Sequence, residues 1–184
     1  MKHVILTIVL LLASGLVIAQ TKMSDQLSKT TKMNAQSKIY FAGGCFWGTE
    51  HFMKQINGVT STQVGYANGK TSIKNPTYEQ VCNDNTGFAE TVEVSYDPQQ
   101  ADLKLLLELY FKTIDPTSLN RQGNDRGSQY RTGIYYTNAA DLPIIKEAIE
   151  TLAKKYSKPI VVEVEPLVCL LYTSPSPRDS TSSR

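Results

Sequence analysis

The strongest constraint on the fold is a helical repeat that directly follows an alternating strand. Glu90 to Tyr96 alternates apolar and polar residues, and Asp97-Pro98 ends the run. Apolar residues then recur at helical spacing, namely Leu103, Leu106, Leu107, Tyr110, Phe111 and Ile114. Because a strand and a helix of this kind each have one apolar side, they bury it by packing against each other. The sequence therefore predicts a layered fold of helices on a sheet.

The remaining patterns supply the order of the elements. They predict strands at Ile39–Phe41, Val59–Tyr66, Gly133–Tyr136 and Ile160–Val164, and helices at Cys45–Ile56 and Leu142–Tyr156. Asp141 is the expected N-cap of the last helix, with Pro143 in its first turn. The first six elements run β-α-β-β-α-β. We therefore expect an α+β two-layer sandwich with a ferredoxin-like core, in which helices cover one face of a mixed, mainly antiparallel sheet.

The N-terminal segment reads as a targeting signal. Lys2 and His3 precede an apolar run of the length of a signal-peptide core, and small residues follow near Ala19. We predict a cleaved signal peptide over residues 1–19 and a polar, flexible leader over 20–37, which implies a periplasmic or secreted protein. An uncleaved N-terminal membrane anchor is the alternative.

The C-terminal segment has an unusual composition. From Cys169 to Asp179 the chain reads CLLYTSPSPRD, which resembles the conceptual translation of a transposon-type sequencing adapter. This resemblance predicts that residues 169–184 are a non-native tail, and Cys169 is accordingly given no role. The expected domain spans residues 38–168 and is incomplete at its C-terminal end.

Composition excludes several function classes. The formal net charge of +2 is too small to indicate a nucleic-acid partner. The three cysteines form no C-x-x-C motif, so neither a zinc knuckle nor a thioredoxin-type pair is indicated. A cysteine hydrolase would need His51, which lies six positions after Cys45 and points elsewhere on a continuous helix. No metal site is expected.

Cys45 and Glu90 are the residues best placed for chemistry. Cys45 follows two glycines and opens a predicted helix, so the helix N-terminus is expected to lower its thiol pKa. Phe46 and Trp47, which follow it, suit a small apolar group. Glu90 shares the apolar face of its strand, where burial would raise its pKa and keep it protonated as a general acid. The alternatives are a structural buried cysteine and a solvent-facing glutamate.

Two long loops add further polar candidates. Tyr78 lies near the end of the first loop and Asp125 and Tyr130 in the second, both rich in Gly, Asn, Asp or Tyr. A phenol donates a hydrogen bond to a developing negative oxygen without titrating near pH 7. Each of these residues taken alone is equally compatible with an ordinary loop position.

Four motifs taken together resemble one enzyme family. GGCFWGTE, NPTY followed by VC, TGFAE and RQGNDRGSQYR match, in order and spacing, the A-type peptide methionine sulfoxide reductases. The resemblance covers about Lys38 to Pro166. It implies reduction of the S epimer of methionine sulfoxide, free or in proteins, by thiol chemistry without a metal or organic cofactor.

The resemblance also implies roles for individual residues. It assigns the nucleophile to Cys45, the acid that protonates the sulfoxide oxygen to Glu90, oxygen binding to Tyr78 and Tyr130, a supporting carboxylate to Asp125, and the methyl-binding wall to Phe46 and Trp47. Cys45 would be left as a sulfenic acid, which a second thiol and then thioredoxin or a similar dithiol would reduce. Oxidised proteins and free methionine-S-sulfoxide are the expected substrates, and a monomer is expected.

The chain departs from the family pattern at two places. Phe88 stands where the family usually has His, next but one to Glu90. The aromatic, His-containing segment that usually follows EPL, with its recycling cysteines, is replaced by the adapter-like tail. Cys82 is then the candidate resolving thiol, and direct attack by an external thiol is the other route.

Two other functions remain open from the residues. A thiol-disulfide oxidoreductase would use Cys45 with Cys82, although C-x-x-C is absent. A non-catalytic module would bind methionine peptides through Phe46 and Trp47 without thiol dependence.

Overall fold

A six-stranded sheet carries the fold in the computed structural model, which describes residues 36–83 and 86–172. The predicted signal peptide, the leader up to residue 35 and residues 173–184 of the predicted tail lie outside the described residues. Within residues 36–83 and 86–172, every helix is too short or too polar to cross a membrane.

The described residues form eight strands, four α-helices and two short 3₁₀ turns. The strands are β1 (Ser37–Ala42), β2 (Val59–Ala67), β3 (Ala89–Tyr96), β4 (Arg121–Gln122), β5 (Asp125–Arg126), β6 (Gly133–Tyr136), β7 (Glu163–Pro166) and β8 (Leu170–Tyr172). The α-helices are α1 (Phe46–Met53), α2 (Tyr78–Asn83), α3 (Leu103–Phe111) and α4 (Leu142–Ala153). Short 3₁₀ turns lie at Ser128–Tyr130 and Ala139–Asp141.

The sheet topology confirms the predicted fold class. The strand order is β7-β6-β1-β3-β2-β8, and β4 and β5 form a separate hairpin. β1 runs antiparallel to β3 and β6, and β2 runs antiparallel to β3. The central four strands therefore have the ferredoxin-like arrangement. The parallel β6–β7 pair makes the sheet mixed.

The core lies between one face of the sheet and the helices. α3 buries Leu106, Leu107 and Tyr110 completely, and the Tyr110 ring stacks on Phe41 of β1 with centroids 4.6 Å apart. Fully burying a side chain of this size contributes about 1.5–3 kcal/mol. Truncating Leu106 to alanine would leave a cavity and cost about 2–5 kcal/mol.

Several predicted boundaries differ from the structure. α1 begins at Phe46 rather than Cys45 and ends at Met53, α3 ends at Phe111, and α4 ends at Ala153. The last strand of the predicted core begins at Glu163, because the Val161 N–H is already bound to the Pro116 carbonyl at 2.8 Å.

The predicted N-cap of the last helix is also different. Asp141 stands at the cap position, but its side chain makes no capping hydrogen bond. The Asn138 carboxamide accepts from the Ala140 N–H at 3.1 Å and caps the 3₁₀ turn that leads into α4. The side-chain cap at this end of the helix is therefore made by Asn138, on the preceding 3₁₀ turn, and not by Asp141.

The C-terminal end of the described chain joins the sheet edge. β8 pairs antiparallel with β2, so that Leu171 lies opposite Tyr66. Asn68 reinforces this edge: its side-chain oxygen accepts from the Val168 N–H at 2.8 Å, and its amide donates to the Pro166 carbonyl at 3.0 Å. The non-native origin of residues 169–184 stays a prediction.

Candidate active site

A glycine turn at the end of β1 presents Cys45 at the start of α1. Gly44 has φ +76°, in the left-handed region that favours glycine. A Cβ on Gly43 would lie 2.8 Å from the Ile114 side chain, so only glycine fits there without a shift. The helix begins immediately after the turn, with the Cys45 carbonyl accepting its first backbone bonds.

The Cys45 thiol is half-buried among acidic neighbours. Burial raises its pKa above the ordinary value, the Trp47 N–H lowers it, and the Glu90 and Asp125 carboxylates raise it further. The expectation of a lowered pKa is therefore wrong in direction. Desolvation outweighs the helix N-terminus, because the sulfur sits in a partly apolar wall beside two carboxyl groups.

Glu90 is buried at the start of β3, as its position on the apolar face predicts. Its side chain is 1% exposed, and its Oε2 accepts a hydrogen bond from the Phe46 N–H at 3.0 Å. Burial raises the pKa of Glu90 to about 7, the Phe46 N–H opposes this rise, and Asp125 adds to it. The carboxyl group can therefore hold a proton near neutrality.

Two aromatic rings wall the space beside the thiol. Phe46 is 3% exposed, and its ring centroid lies 5.8 Å from that of Trp47 and 5.8 Å from that of Tyr66. The Trp47 indole N–H is buried and has no acceptor among the described residues. The wall is apolar and suits a methyl or methylene group.

Tyr66 is a site residue that the sequence reasoning missed. It lies opposite Glu90 in the β2–β3 pair, so both side chains share the helix-covered face. Burial, Glu90, Cys82 and Tyr130 raise its pKa, and the phenol remains protonated. The signal is a strand register, which a single sequence does not specify.

The two predicted phenols lie near each other, and Tyr130 lies near Glu90. The Tyr78 hydroxyl lies close enough to Tyr130 and Cys82 for polar interactions with both, and these interactions raise the pKa of Tyr78. Burial raises the pKa of Tyr130, although its interaction with Tyr78 opposes the rise. Tyr78 opens α2 and is 55% exposed, so this side of the site is open to solvent.

The β4–β5 hairpin brings Asp125 to the site. Gln122, its partner across the hairpin, accepts from the Asp115 N–H at 2.8 Å and donates to the Asp115 carbonyl at 2.9 Å. The Gln122 side chain also lies against Gly44, where a Cβ would be 2.9 Å from its Cβ. The hairpin is thereby fixed beside the Cys45 turn, and Gln122 is a second residue that the sequence reasoning did not single out.

Cys82 lies on the phenol side of the site. Its thiol raises the pKa of Tyr78, which lies on the same helix, and also raises the pKa values of Tyr66 and Tyr130. All three cysteines of the chain are free. The role of Cys82 as the resolving thiol stays a prediction.

Phe88, at the position where the resemblance leads one to expect histidine, places an apolar ring near Glu90 in the chain. It is fully buried and packs directly over Gly69, at the end of β2. Among residues 36–83 and 86–172, no group of three or more His, Cys, Asp or Glu side chains is arranged to hold a metal ion. The site combines a half-buried thiol and a buried acid with a pKa of about 7 with aromatic rings and phenols, so a nucleophile and a proton donor are available near neutrality.

Comparison with known proteins gives a consistent family. A sequence model described as peptide methionine sulfoxide reductase matches residues 37–173. The peptide methionine sulfoxide reductase MsrA of Lachnoclostridium phytofermentans is 62% identical over 130 residues, which cover 71% of this chain and 77% of that protein. That of Clostridium perfringens strain 13 is 60% identical over 130 residues, 71% of this chain and 82% of the relative.

Solved structures agree with the sequence matches. Reduced Mxr1 from Saccharomyces cerevisiae superposes with a TM-score of 0.72 at 36% identity, covering 76% of this chain and 80% of that one. Mxr1 in complex with Trx2 is similar at a TM-score of 0.53 and 26% identity, over 77% of this chain and 91% of the other. With both sequence and fold in agreement, the chain belongs to the peptide methionine sulfoxide reductase family.

Proposed function

We propose that this chain reduces methionine-(S)-sulfoxide, free or within proteins, to methionine by thiol chemistry. One observation carries the proposal. The backbone N–H of Phe46, the residue after Cys45, donates to the buried Glu90 carboxyl at 3.0 Å. A nucleophilic sulfur and a proton donor are thus fixed on the same helix start. Relatives named MsrA, one of them 62% identical, support the same reaction.

The first step transfers oxygen between two sulfurs. The Cys45 thiolate attacks the sulfoxide sulfur, and Glu90 gives its proton to the sulfoxide oxygen. The sulfur–sulfur bond formed in this attack and the sulfur–oxygen bond of the substrate then break as the hydroxyl passes to Cys45. Cys45 is thereby oxidised by two electrons to a sulfenic acid, and the substrate leaves reduced as methionine. The pKa of about 7 for Glu90 suits this proton transfer near neutrality.

The neighbouring side chains orient the substrate in this proposal. Tyr78 and Tyr130 donate hydrogen bonds to the sulfoxide oxygen, where negative charge grows before protonation. Phe46 and Trp47 receive the substrate methyl group, and their ring contacts with Tyr66 and with each other keep the wall apolar. Asp125 supports the same network from the hairpin.

The second half of the cycle regenerates the thiol. A second thiol attacks the sulfenic acid and forms a disulfide, which thioredoxin or another dithiol reduces. The solved complex of the related yeast protein with Trx2 supports a thioredoxin-type reductant. Within this proposal the chemistry runs through thiols without a metal or an organic cofactor, and the chain acts as a monomer.

The proposed location is based on the N-terminal sequence. A cleaved signal peptide over residues 1–19 would place the enzyme in the periplasm or outside the cell, where it would repair oxidised secreted proteins. N-terminal sequencing of the mature protein from a secreting host tests this proposal, since a retained Met1 contradicts it.

The decisive experiment separates the two sulfoxide epimers. We would supply the full chain with dithiothreitol and follow N-acetylmethionine-S-sulfoxide and its R epimer by chiral chromatography. Loss of the S epimer alone is expected. Binding of methionine without turnover would favour a non-catalytic module, and turnover of disulfide substrates alone would favour a thiol-disulfide oxidoreductase.

A further inference from the structure

Cys45 borders a second cleft besides the space between the aromatic rings. This cleft has a volume of about 350 Å³ and opens to solvent. Four of its ten lining residues are glycines, and the cleft shares Cys45 and Asp125 with the site described above. The lining residues are Gly43, Gly44, Cys45, Gly48, Thr49, Phe52, Thr113, Gln122, Gly123 and Asp125. The two aromatic rings, Glu90 and the two phenols of the sulfoxide site are not among its lining residues. Cys45 therefore lines a space that is not bounded by the aromatic wall, the buried acid or the phenols.

The backbone conformation at position 48 gives no reason for a glycine there. It lies in the first turn of α1, and glycine is the least favourable helix residue after proline. Its φ is not in the left-handed region, and a Cβ built on it has no heavy atom within 4 Å. Neither strain nor crowding therefore requires glycine at this position. What the missing side chain does is leave the cleft beside Cys45 open.

We propose that this glycine-walled cleft admits the thiol of the reductant to the Cys45 sulfenic acid. The proposal rests on the function proposed above and concerns its second half. The cleft does not include the acid or the phenols that would bind a sulfoxide oxygen, so it is not a second sulfoxide site. Two of its glycines, Gly48 and Gly123, are exposed and carry no side chain that would obstruct the mouth, which suits an extended peptide segment that carries a cysteine, as on a protein dithiol.

The step through the cleft balances. The incoming thiol attacks the Cys45 sulfur, a sulfur–sulfur bond forms, and the sulfur–oxygen bond of the sulfenic acid breaks. The oxygen leaves as water with the proton of the incoming thiol. The second thiol of the reductant then attacks the mixed disulfide, which releases Cys45 as a thiol and the reductant as a disulfide.

The test compares two leucine substitutions on α1. Gly48→Leu fills the cleft with a good helix former, and Gly48→Ala fills it partly. His51→Leu is the matched control, because His51 is exposed on the same helix and does not line the cleft. Each protein is assayed for a single turnover without reductant, as methionine formed per enzyme, and for steady turnover with thioredoxin and with dithiothreitol.

The expected result is a split between the two halves of the cycle. Gly48→Leu should keep the single turnover and lose thioredoxin-driven turnover about tenfold or more, since displacing a reacting group by about 1 Å is enough for such a loss. Gly48→Ala should fall between it and the parent chain, and dithiothreitol, being small, should be affected less. His51→Leu should match the parent in both assays.

Three outcomes would overturn the proposal. Unchanged thioredoxin turnover in Gly48→Leu would show that the cleft is not the route. A lost single turnover in the same variant would make the cleft part of the sulfoxide site. A Cys82→Ser chain that stops at one turnover would show that an internal disulfide carries the recycling. Absence of a single turnover in the parent chain would instead refute the proposed function itself.

Discussion

The Phe46 backbone N–H donates to the Glu90 carboxyl at 3.0 Å and so joins the start of α1 to the start of β3. Phe46 directly follows Cys45 in the chain. The nucleophile and the proposed acid are therefore positioned by one backbone group, and a shift of the helix start would move both. Mutations that disturb this bond should affect reactivity before they affect the global fold.

The Cys45 thiol is the group on which the reaction depends. Cys45→Ser should reduce turnover to the uncatalysed background, because a serine hydroxyl is not ionised near neutrality and is a poor nucleophile toward sulfur. The fold should persist, since the side chain makes no capping hydrogen bond. Turnover and far-UV circular dichroism measure the two effects, and residual turnover above background would remove Cys45 from the mechanism.

Replacing Glu90 should change the pH dependence of the rate. The active form needs an ionised Cys45 and a protonated Glu90, whose pKa is about 7. Below pH 7 the rate should rise with thiol ionisation. Above pH 7 the rate should level off, because each rise in pH that increases the fraction of Cys45 thiolate decreases the fraction of protonated Glu90 in proportion. Glu90→Gln should lower the rate by about 10²-fold or more and should continue to rise beyond pH 7.

The measurement for Glu90 is single-turnover methionine formation from pH 5 to 9. Glu108→Gln, an exposed change on α3, serves as the charge-matched control and should keep the parent profile. A Glu90→Gln profile that levels off near pH 7 like the parent would assign the ionisation to another group.

The same carboxyl should make stability fall as pH rises. Its pKa is about 7 in the folded chain against an ordinary value of 4.5, so the folded state binds the proton more tightly. Its stabilising contribution is fully present below pH 4.5 and is lost as pH rises to about 7. Glu90→Gln should remove a loss on the order of 3 kcal/mol between pH 4.5 and 8. Urea unfolding at both pH values checks the sign, and equal slopes in the two proteins would contradict it.

The two phenols should act as a pair. Because Tyr78 and Tyr130 each shift the pKa of the other, removing one hydroxyl should change the properties of the other. Tyr78→Phe and Tyr130→Phe should each slow the single turnover, and the double variant should lose less than both effects combined, with a coupling energy of about 0.5–3 kcal/mol. A double-mutant cycle on the rate of methionine formation measures it, and strict additivity would mean that the phenols work independently.

Gln122 should matter through the hairpin that carries Asp125. Gln122→Ala removes both hydrogen bonds to the Asp115 backbone, so Asp125 should lose its fixed place near Cys45. Because Asp125 raises the Cys45 pKa, the pH profile of Cys45 alkylation should move toward lower pH, as in Asp125→Asn. The double variant should show no further shift.

The control for Gln122 is a glutamine in a surface turn. The Gln100 side-chain amide donates a hydrogen bond to the Asp97 carboxylate at 2.8 Å, and Gln100→Ala removes this comparable hydrogen bond. Its alkylation profile should match that of the parent chain. A Gln122→Ala profile that also matches the parent would show that the hairpin stays in place without this anchor.

Sequence reasoning recovered the parts of the fold that local patterns determine. The alternation in β3 and the repeat in α3 are periodic over many residues, so their existence and packing could be predicted. The hairpin at Arg121–Arg126 could not, because two-residue strands carry no period and depend on the Gln122 side chain. The β7 boundary likewise depends on pairing with β6.

The candidate site shows the same division. The predicted burial of Glu90 follows from the apolar face of its own strand and is confirmed. The prediction of a lowered pKa for the Cys45 thiol is wrong in direction. The helix start is a local signal, whereas the burial and the Asp125 carboxylate that raise the pKa depend on distant segments. Tyr66 escaped notice because its position opposite Glu90 depends on strand register.

Trp47 is the single tryptophan of the chain, two residues after the reactive sulfur and partly buried beside Phe46. The tryptophan fluorescence of this protein, excited selectively over its ten tyrosines, therefore originates next to Cys45. A change in the charge or oxidation of that sulfur alters the surroundings of the only indole, so the emission can be followed in real time without a label. The same geometry means that a quenched or shifted spectrum describes this corner of the molecule and says little about unfolding elsewhere.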